Sequence, residues 1–337
     1  MSDPVLVDVL RGQVVESVHR GAVAVCDADG ALVLSIGEVE RPVFPRSAVK
    51  AIQALPLVET GAADALQLTE RELALVCASH TGEARHVEAV AALLAKAGLT
   101  GSAFECGSHW PTSHSATVKL AGAGATPTAL HNNCSGKHSG FLCTCVHNGI
   151  DPRGYIGRAH PLQEMVRGTL EEVTGASHGE DMCGTDGCSI PTYAVPLRNL
   201  ASGFARMATG QGLGPRRAEA AKRLMAACMA EPYFVSGTGR ADLRMMEAGG
   251  GRVFTKTGAE GVFCAALPQA GLGIAIKCSD GAGRAAEVIV AAVLARLLAN
   301  DGAAADFAQM STPVLTNWNG IVVGGLRPAG PLAVQHS

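Results

Sequence analysis

The chain has 337 residues, of which 47% are hydrophobic, and a formal net charge of −3 at pH 7. This length predicts a large hydrophobic core, and the near-neutral charge excludes the strongly basic surface of a polyanion-binding protein. The N-terminal segment MSDPVLVDVLRG carries acids where a secretion signal carries basic residues, and no stretch is long enough to span a membrane. We therefore expect a cytoplasmic protein.

Strand patterns stand at both ends of the chain. The two apolar segments 21–26 and 31–36 flank the turn sequence Asp27-Ala28-Asp29-Gly30, which predicts a hairpin. Further strands are predicted at 252–257, 261–266 and 271–277 and near 321–323, with a helix at 285–298.

Residues 47 to about 248 have mainly helical patterns. They include a capping box at Thr69 and Glu72 and amphipathic runs at 86–97, 161–173 and 215–229. The sequence therefore predicts an α+β fold, in which N- and C-terminal strands form one antiparallel sheet and a helical block is inserted between them. We predict a single domain over 1–337, with a sheet lobe at about 1–45 and 250–337 and a helical lobe at about 46–249.

A serine and a lysine lie three residues apart in the segment PRSAVKAIQAL. The apolar pattern after Pro45 predicts a mostly buried helix, which brings the Lys50 amine within reach of the Ser47 hydroxyl. The triplet Lys256-Thr257-Gly258 follows on a predicted strand, in the order found in penicillin-recognising serine enzymes. The Ser-Asp-Asn element of that set is absent, and Ser79, in a predicted turn, is the expected substitute.

A lysine acts as a base only when its amine is neutral. The ordinary lysine pKa is about 10.4, so a base of this kind needs a lowered pKa. Repulsion between Lys50 and Lys256 in one pocket, together with burial, would bring one amine to roughly 7 to 8. The alternative, that each lysine reaches solvent, stays open at this point.

The cysteines indicate reduced thiols or a metal site rather than disulfides, because eleven is an odd number and an export signal is lacking. Cys134 and Cys188 lie in two glycine-containing loops, each with a charged neighbour, Lys137 and Asp186 respectively. This set could hold a metal, although the spacing matches none of the usual zinc patterns and buried structural thiols are the alternative. The first loop also precedes a predicted helix, which suits an oxyanion or a carboxylate.

Five segments together resemble the L-asparaginase II family: PRSAVKAIQALP, CASHTGE, HNNCSGKHSGFL, TDGCSIPTYAVPL and KTGAEGVF. The resemblance runs in order from about residue 5 to 325. It implies a fold similar to serine β-lactamases and glutaminases, a homodimer, and hydrolysis of L-asparagine to L-aspartate and ammonia.

The resemblance also implies roles for individual residues. Ser47 with Lys50, and Ser79 with Lys256, would form two serine–lysine pairs in one site. A zinc ion would be held by Cys134, Lys137 and Cys188. The candidate substrate-binding residues, which lie in the same segments, are Arg46, His80, Asn133 and Asp186.

We predict a mechanism in which Ser47 attacks the side-chain amide and Lys50 takes its proton, while Ser79 and Lys256 relay protons through an acyl-enzyme. Ser79 remains the alternative nucleophile. Other functions that the sequence leaves open are a β-lactamase or penicillin-recognising enzyme, a glutaminase, and a non-catalytic zinc or amino-acid sensor.

Overall fold

The structure, a computed structural model, describes residues 3–333. Twelve strands lie in this range: β1 (Val5–Arg11), β2 (Val14–Cys26), β3 (Leu32–Ile36), β4 (Pro42–Val43), β5 (Cys183–Thr185), β6 (Pro191–Tyr193), β7 (Val195–Pro196), β8 (Phe254–Thr257), β9 (Val262–Leu267), β10 (Leu272–Cys278), β11 (Val314–Thr316) and β12 (Val322–Pro328).

The described residues also form fourteen α-helices: α1 (Lys50–Gln53), α2 (Leu55–Glu59), α3 (Ala62–Ala65), α4 (Glu70–Leu75), α5 (Ala84–Lys96), α6 (His114–Gly122), α7 (Ser135–His147), α8 (Pro161–Thr174), α9 (Leu197–Thr209), α10 (Pro215–Ala230), α11 (Pro232–Val235), α12 (Ala241–Gly249), α13 (Gly283–Leu297) and α14 (Ala304–Met310). Six short 3-10 turns accompany them, at Arg46–Val49, Gly101–Ala103, Ala129–His131, Glu180–Met182, Pro268–Ala270 and Gly330–Leu332.

One large antiparallel sheet combines strands from both ends of the chain. Its order is β11-β12-β1-β2-β10-β9-β8, and β3 pairs with β2 beside this path. The long strand β2 pairs with β1 on one side and with β10 on the other. It therefore links the N-terminal strands to the strands from the C-terminal part of the chain. The predicted α+β fold is confirmed.

Helices cover both faces of this sheet. Side chains alternate along a strand, so Val23 and Val25 of β2 join the core under α13, while Ala22 and Ala24 join the core shared with the helical block. Helix α9 packs on β10 from the second side. This approach requires Gly273, because a Cβ there would lie 2.0 Å from the Ala201 carbonyl oxygen.

The segment between β3 and β8 is mainly helical, as predicted, and the capping box at Thr69 and Glu72 is present at the start of α4. Two small sheets, β4 with β7 and β5 with β6, also lie there and were not predicted. Within 3–333 no helix is both long and apolar enough to cross a membrane. The proposed lobe boundaries stay a prediction.

Candidate active site

Two lysine amines converge on one serine hydroxyl. Lys50 Nζ and Lys256 Nζ each lie 2.9 Å from Ser79 Oγ. Both lysine side chains are fully buried, and Ser79 is 9% exposed. The three residues come from α1, from the loop after α4, and from β8, which are far apart in the sequence. The fold therefore builds a buried cluster of two amines around one hydroxyl.

The partners of Lys50 match those of an ammonium group. Its Nζ lies 2.5 Å from the Ala78 carbonyl oxygen and 3.2 Å from Cys134 Sγ, in addition to its contact with Ser79. Three protons on this nitrogen thus meet three acceptors. This geometry makes Lys50 the donor at each contact.

Lys256 has different surroundings. Its Nζ contacts Ser79 Oγ and lies 2.9 Å from the Thr257 carbonyl oxygen. Burial lowers the pKa of Lys256 to about 8; the nearby charge of Asp242 opposes this shift, and the Lys50 charge adds to it. Lys256 is therefore an amine that is neutral in a substantial fraction of molecules near pH 8, which suits a general base.

Ser47 lies next to this cluster in the chain but outside its hydrogen bonds. Among the described residues, its hydroxyl makes no hydrogen bond, and the residue is half-buried on the 3-10 turn that precedes α1. The prediction that the Lys50 amine reaches Ser47 therefore differs from the structure, where the amine turns to Ser79. The reason is that Lys50 starts a new helix after the tighter turn, and Ala78, Ser79 and Cys134 supply better acceptors.

Arg46 directs the turn that carries Ser47. Its φ of 52° is in the left-handed region, which costs a non-glycine residue of order 1 kcal/mol or more. Its guanidinium is fixed by Asp186, with Nε 2.8 Å from Oδ1. Burial opposes ionisation of Asp186, but the charges of Lys137 and Arg46 outweigh it and lower the pKa of this carboxyl group. A charged pair of opposite sign thus stands at the edge of the site.

The predicted metal ligands are brought together. Lys137 Nζ lies 3.0 Å from Cys188 Sγ, and the Cys188 thiol hydrogen-bonds to Cys134. All three side chains are buried. That thiol hydrogen bond and the amines of Lys50 and Lys137 hold the pKa of Cys134 well below its ordinary value, whereas the same bond and burial raise the pKa of Cys188. The Cys134 thiolate and the Lys137 ammonium group therefore lie together in one buried space.

Close backbone contacts place these side chains. A Cβ on Gly136 would lie 2.1 Å from the Leu75 carbonyl oxygen, so only glycine allows α7 to approach the end of α4. A Cβ on Gly258 would lie 2.6 Å from the Pro45 carbonyl oxygen, which ties the turn after β8 to the turn that carries Ser47. The glycines of HNNCSGKHSG and KTG therefore have a structural role beside the lysines.

His80 and Asn133 line the same region. His80 Nε2 is 2.8 Å from Ser135 Oγ, and burial lowers the pKa of His80 well below its ordinary value, so this ring is neutral. The backbone N–H of Asn133 donates to His109 Nε2 at 2.9 Å. His80 thus positions the start of α7, and His109 positions the Asn133 loop.

Asp242 is the residue of this region that sequence reasoning missed. Its carboxylate is fully buried, and Oδ1 accepts a hydrogen bond of 2.6 Å from the backbone N–H of Thr257. Asp242 lies fourteen residues before Lys256. This spacing belongs to no motif, so the sequence alone could not identify Asp242 as part of the site. Its proximity to Lys256 depends on how α12 packs on β8.

The family model described as L-asparaginase II matches residues 7–328 of the chain. No curated protein sequence is significantly similar to the chain. Among solved structures, it is similar to a β-lactamase from Mycobacterium bovis, with 14% sequence identity, coverage of 83% of this chain and 94% of that chain, and a TM-score of 0.45. The family match extends over every residue of the site.

Proposed function

This chain belongs to the L-asparaginase II family, and on that premise we propose that it hydrolyses L-asparagine to L-aspartate and ammonia. The observation that carries the catalytic part of the proposal is the pair of 2.9 Å contacts from Lys50 and Lys256 to Ser79. A hydroxyl between an ammonium group and an amine of lowered pKa is a path for a proton. Amide hydrolysis through a serine needs such a path twice, once for the attack and once for the leaving amine.

The proposed attack begins at Ser47. Within residues 3–333 its hydroxyl has no hydrogen bond to give up, and it is more exposed than Ser79, so a substrate can approach it. The Ser79 hydroxyl proton moves to the neutral amine of Lys256, and the Lys50 ammonium group passes one of its protons to Ser79 Oγ. The lone pair that this frees on Lys50 Nζ takes the Ser47 proton as Ser47 Oγ bonds to the amide carbon. Lys50 ends as it began, and Lys256 holds the extra proton.

The return of that proton completes the first half of the reaction. When the carbon–nitrogen bond of the tetrahedral intermediate breaks, the same path delivers the proton from Lys256 to the leaving nitrogen, and ammonia departs. Water then attacks the ester on Ser47 with Lys256 again as the proton acceptor, and as the ester bond breaks this proton returns along the same path to Ser47 Oγ, which releases aspartate and restores the enzyme. This sequence requires the buried Lys50 amine, once it has given a proton to Ser79, to turn its free lone pair toward Ser47.

The charged pair Arg46 and Asp186 suits the other end of the substrate. Free asparagine carries an α-carboxylate and an α-ammonium group, and we assign the first to Arg46 and the second to Asp186. Asn133 would hold the substrate amide, and His80 would position the loop. Such fixed polar contacts orient the amide for attack.

Cys134, Lys137 and Cys188 fit a zinc ion. Two sulfur donors and one amine are a donor set that Zn²⁺ accepts, and the three atoms already face one another in a buried space. Zinc bound here would supply positive charge that attracts the substrate carboxylate and orders the Cys134 loop. Without it, the ammonium group of Lys137 neutralises the buried thiolate. We further propose that the enzyme is a cytoplasmic homodimer, as the family resemblance implies.

The proposal is tested by measuring ammonia and aspartate release from asparagine, with glutamine and nitrocefin as alternative substrates. We expect release from asparagine to exceed release from glutamine, and no nitrocefin cleavage. One extra methylene alone gives a preference of about 10- to 200-fold. Binding of asparagine without ammonia release would favour a sensor, and nitrocefin cleavage would favour a β-lactamase.

A further inference from the structure

A second cluster of metal-ligating side chains lies at a corner of the large sheet, apart from Ser79 and its lysines. It combines His19 of β2, Cys278 at the end of β10, and Asp280 in the turn before α13. One ligand atom from each residue lies within 4.8 Å of the other two. His19 and Cys278 are buried, whereas the Asp280 side chain is 48% exposed. Two of the three candidate ligands are thus buried, and the third is open to solvent.

The Asp280 carboxylate already accepts a hydrogen bond from each of the other two residues. Its Oδ2 lies 2.6 Å from His19 Nδ1, and its Oδ1 accepts from the Cys278 thiol at 2.9 Å. The tautomer of His19 follows from Arg284, whose Nε can only donate and lies 3.1 Å from His19 Nε2. The proton of His19 is therefore on Nδ1 and points at Asp280.

We propose that His19, Cys278 and Asp280 bind a divalent cation that prefers sulfur and nitrogen ligands, of the type of Zn²⁺ or Co²⁺. In a tetrahedral site such ligand atoms lie roughly 3.3 to 3.7 Å apart, whereas Asp280 now lies 2.6 Å from His19 and 2.9 Å from Cys278, and all three ligand atoms lie within 4.8 Å. Asp280 can make the adjustment because its side chain is half-exposed on a turn. Water would occupy the fourth position at the open side.

The protons balance when the cation enters. Cys278 loses its thiol proton to solvent and binds as a thiolate, and Asp280 turns its oxygens from the two donors to the cation. His19 frees Nδ1 by moving its proton to Nε2, which requires Arg284 to release that nitrogen. Arg284 is exposed, and this is its one hydrogen bond among the described residues, so it can turn into solvent.

The position of the cluster suggests a role in holding elements together. The backbone N–H of Cys278 donates to the Gly261 carbonyl oxygen at 2.8 Å, in the turn that follows Lys256 and β8. The Asp280 carboxylate also accepts from the backbone N–H of Ala282, just before α13. A cation here would link β2, β10 and the start of α13, and through Gly261 it would stiffen the turn beyond the lysine strand.

Cobalt titration of chelator-treated protein tests the proposal. A thiolate bound to Co²⁺ gives a near-ultraviolet charge-transfer band, and the number of Co²⁺ equivalents that saturate this band is compared between wild type and Cys278→Ser. We expect the variant to lose one equivalent. The matched control, Cys26→Ser, changes another buried thiol, which lies on the same strand as His19, and should lose none. Because the readout is a difference, it does not depend on whether Cys188 and its neighbours hold zinc.

Two surface variants keep the test decisive if Cys278→Ser does not fold. Asp280→Asn should weaken binding at this site by at least about tenfold. Arg284→Met should tighten it by about tenfold, because it removes the competing donor to His19. Equal cobalt stoichiometry in wild type and Cys278→Ser, or unchanged affinity in Asp280→Asn, would overturn the proposal.

Discussion

At the scale of single residues, the two lysines of the site differ in what surrounds them. Lys50 meets three acceptors, whereas Lys256 meets Ser79 Oγ and one carbonyl oxygen and has a pKa of about 8 because of burial. A buried amine of this kind loses its charge as the pH rises through about 8. It follows that catalysis by a neutral Lys256 must increase over the same pH range.

The first prediction concerns the pH profile of kcat/KM for asparagine. The profile should rise through an apparent pKa of about 8 and then level off, because only the neutral amine of Lys256 accepts the proton. Lys256→Met should lower kcat/KM by about 10² to 10⁴ and remove this limb. A limb of unchanged position in Lys256→Met would assign it to another group.

The same variant has an opposite effect on stability. Since burial lowers the pKa of Lys256, the unfolded chain binds this proton more strongly, and the free energy of unfolding rises with pH between about 8 and about 10.4. Below pH 8 the cost to the folded state is on the order of 3 kcal/mol. Lys256→Met removes this cost, so we expect a higher Tm at pH 7 together with lower activity. A lower Tm would mean that the two hydrogen bonds of the amine outweigh the cost of burying it.

The second prediction concerns Asp242, whose charge favours the ammonium form of Lys256. The other charged groups that act on this amine are Lys50, Cys134 and Arg240. Asp242→Asn keeps an acceptor for the Thr257 N–H but removes the charge, so the limb of kcat/KM should move to lower pH. A limb that stays in place or moves to higher pH would contradict the electrostatic role of Asp242.

Sequence reasoning reached part of this site. The family resemblance implied that Lys50 and Lys256 belong to one site, and the residue types predicted a lowered pKa for one amine if the two share a pocket, with Lys50 as the base. The structure instead gives the lowered pKa to Lys256, mainly through burial. Sequence reasoning did not predict that Lys50 turns from Ser47 to Ser79. Ala78, Ser79 and Cys134 come from distant segments, and their competition for the amine is decided only when α4 and α7 pack together.

At the scale of elements, the approach of α7 to α4 delivers Cys134 and Lys137 to the site. Gly136 permits this approach, since the atom that a Cβ would meet is a backbone oxygen that cannot move aside. Gly168 of α8 is a matched control, because it also lies within a helix but a Cβ there would meet no atom within 4 Å.

The third prediction compares these two glycines. Gly136→Ala should lower the free energy of unfolding by more than about 3 kcal/mol, because overpacking against a backbone atom forces the helices apart. Gly168→Ala should raise it by about 0.5 to 1 kcal/mol, since alanine favours a helix interior. Denaturant unfolding of both variants gives the comparison, and equal stability would contradict the contact between α7 and Leu75.

The long elements could be predicted from sequence and the short ones could not. The β2–β3 hairpin follows from Asp27, whose carboxylate accepts from the N–H groups of Asp29 and Ala31, and from Gly30 with its φ of 85°. In contrast, β5 and β6 have three residues each, too few for a period-2 pattern. They matter because the turn between them carries Cys188, and Ser189 there adopts a φ of 75°.

At the scale of the whole molecule, the fold brings residues of the sheet and of the helical block to one place. Lys256 belongs to the sheet, whereas the helical block supplies Lys50, Ser79, Cys134 and Cys188. The order of strands and helices predicted this architecture, because the strands predicted at the two ends of the chain pack most economically as one sheet.

The fourth prediction concerns the metal. Purified protein should contain zinc, and Cys188→Ala should lose about one zinc per chain, because a tetrahedral site deprived of a thiolate holds its ion weakly. Cys145→Ser, a buried thiol on the same helix as Lys137, should lose none. Metal analysis of the three proteins decides this, and equal zinc in all of them would exclude Cys188 as a ligand.

The covalent step is the central claim, and one measurement tests it most directly. Protein mixed with asparagine is quenched in acid within a turnover, digested, and searched by mass spectrometry for an aspartyl ester. We expect the ester on the peptide that contains Ser47, and its absence in Ser47→Ala. An ester on the Ser79 peptide would exchange the roles of the two serines, and ammonia release without an ester on either serine would contradict the acyl-enzyme mechanism.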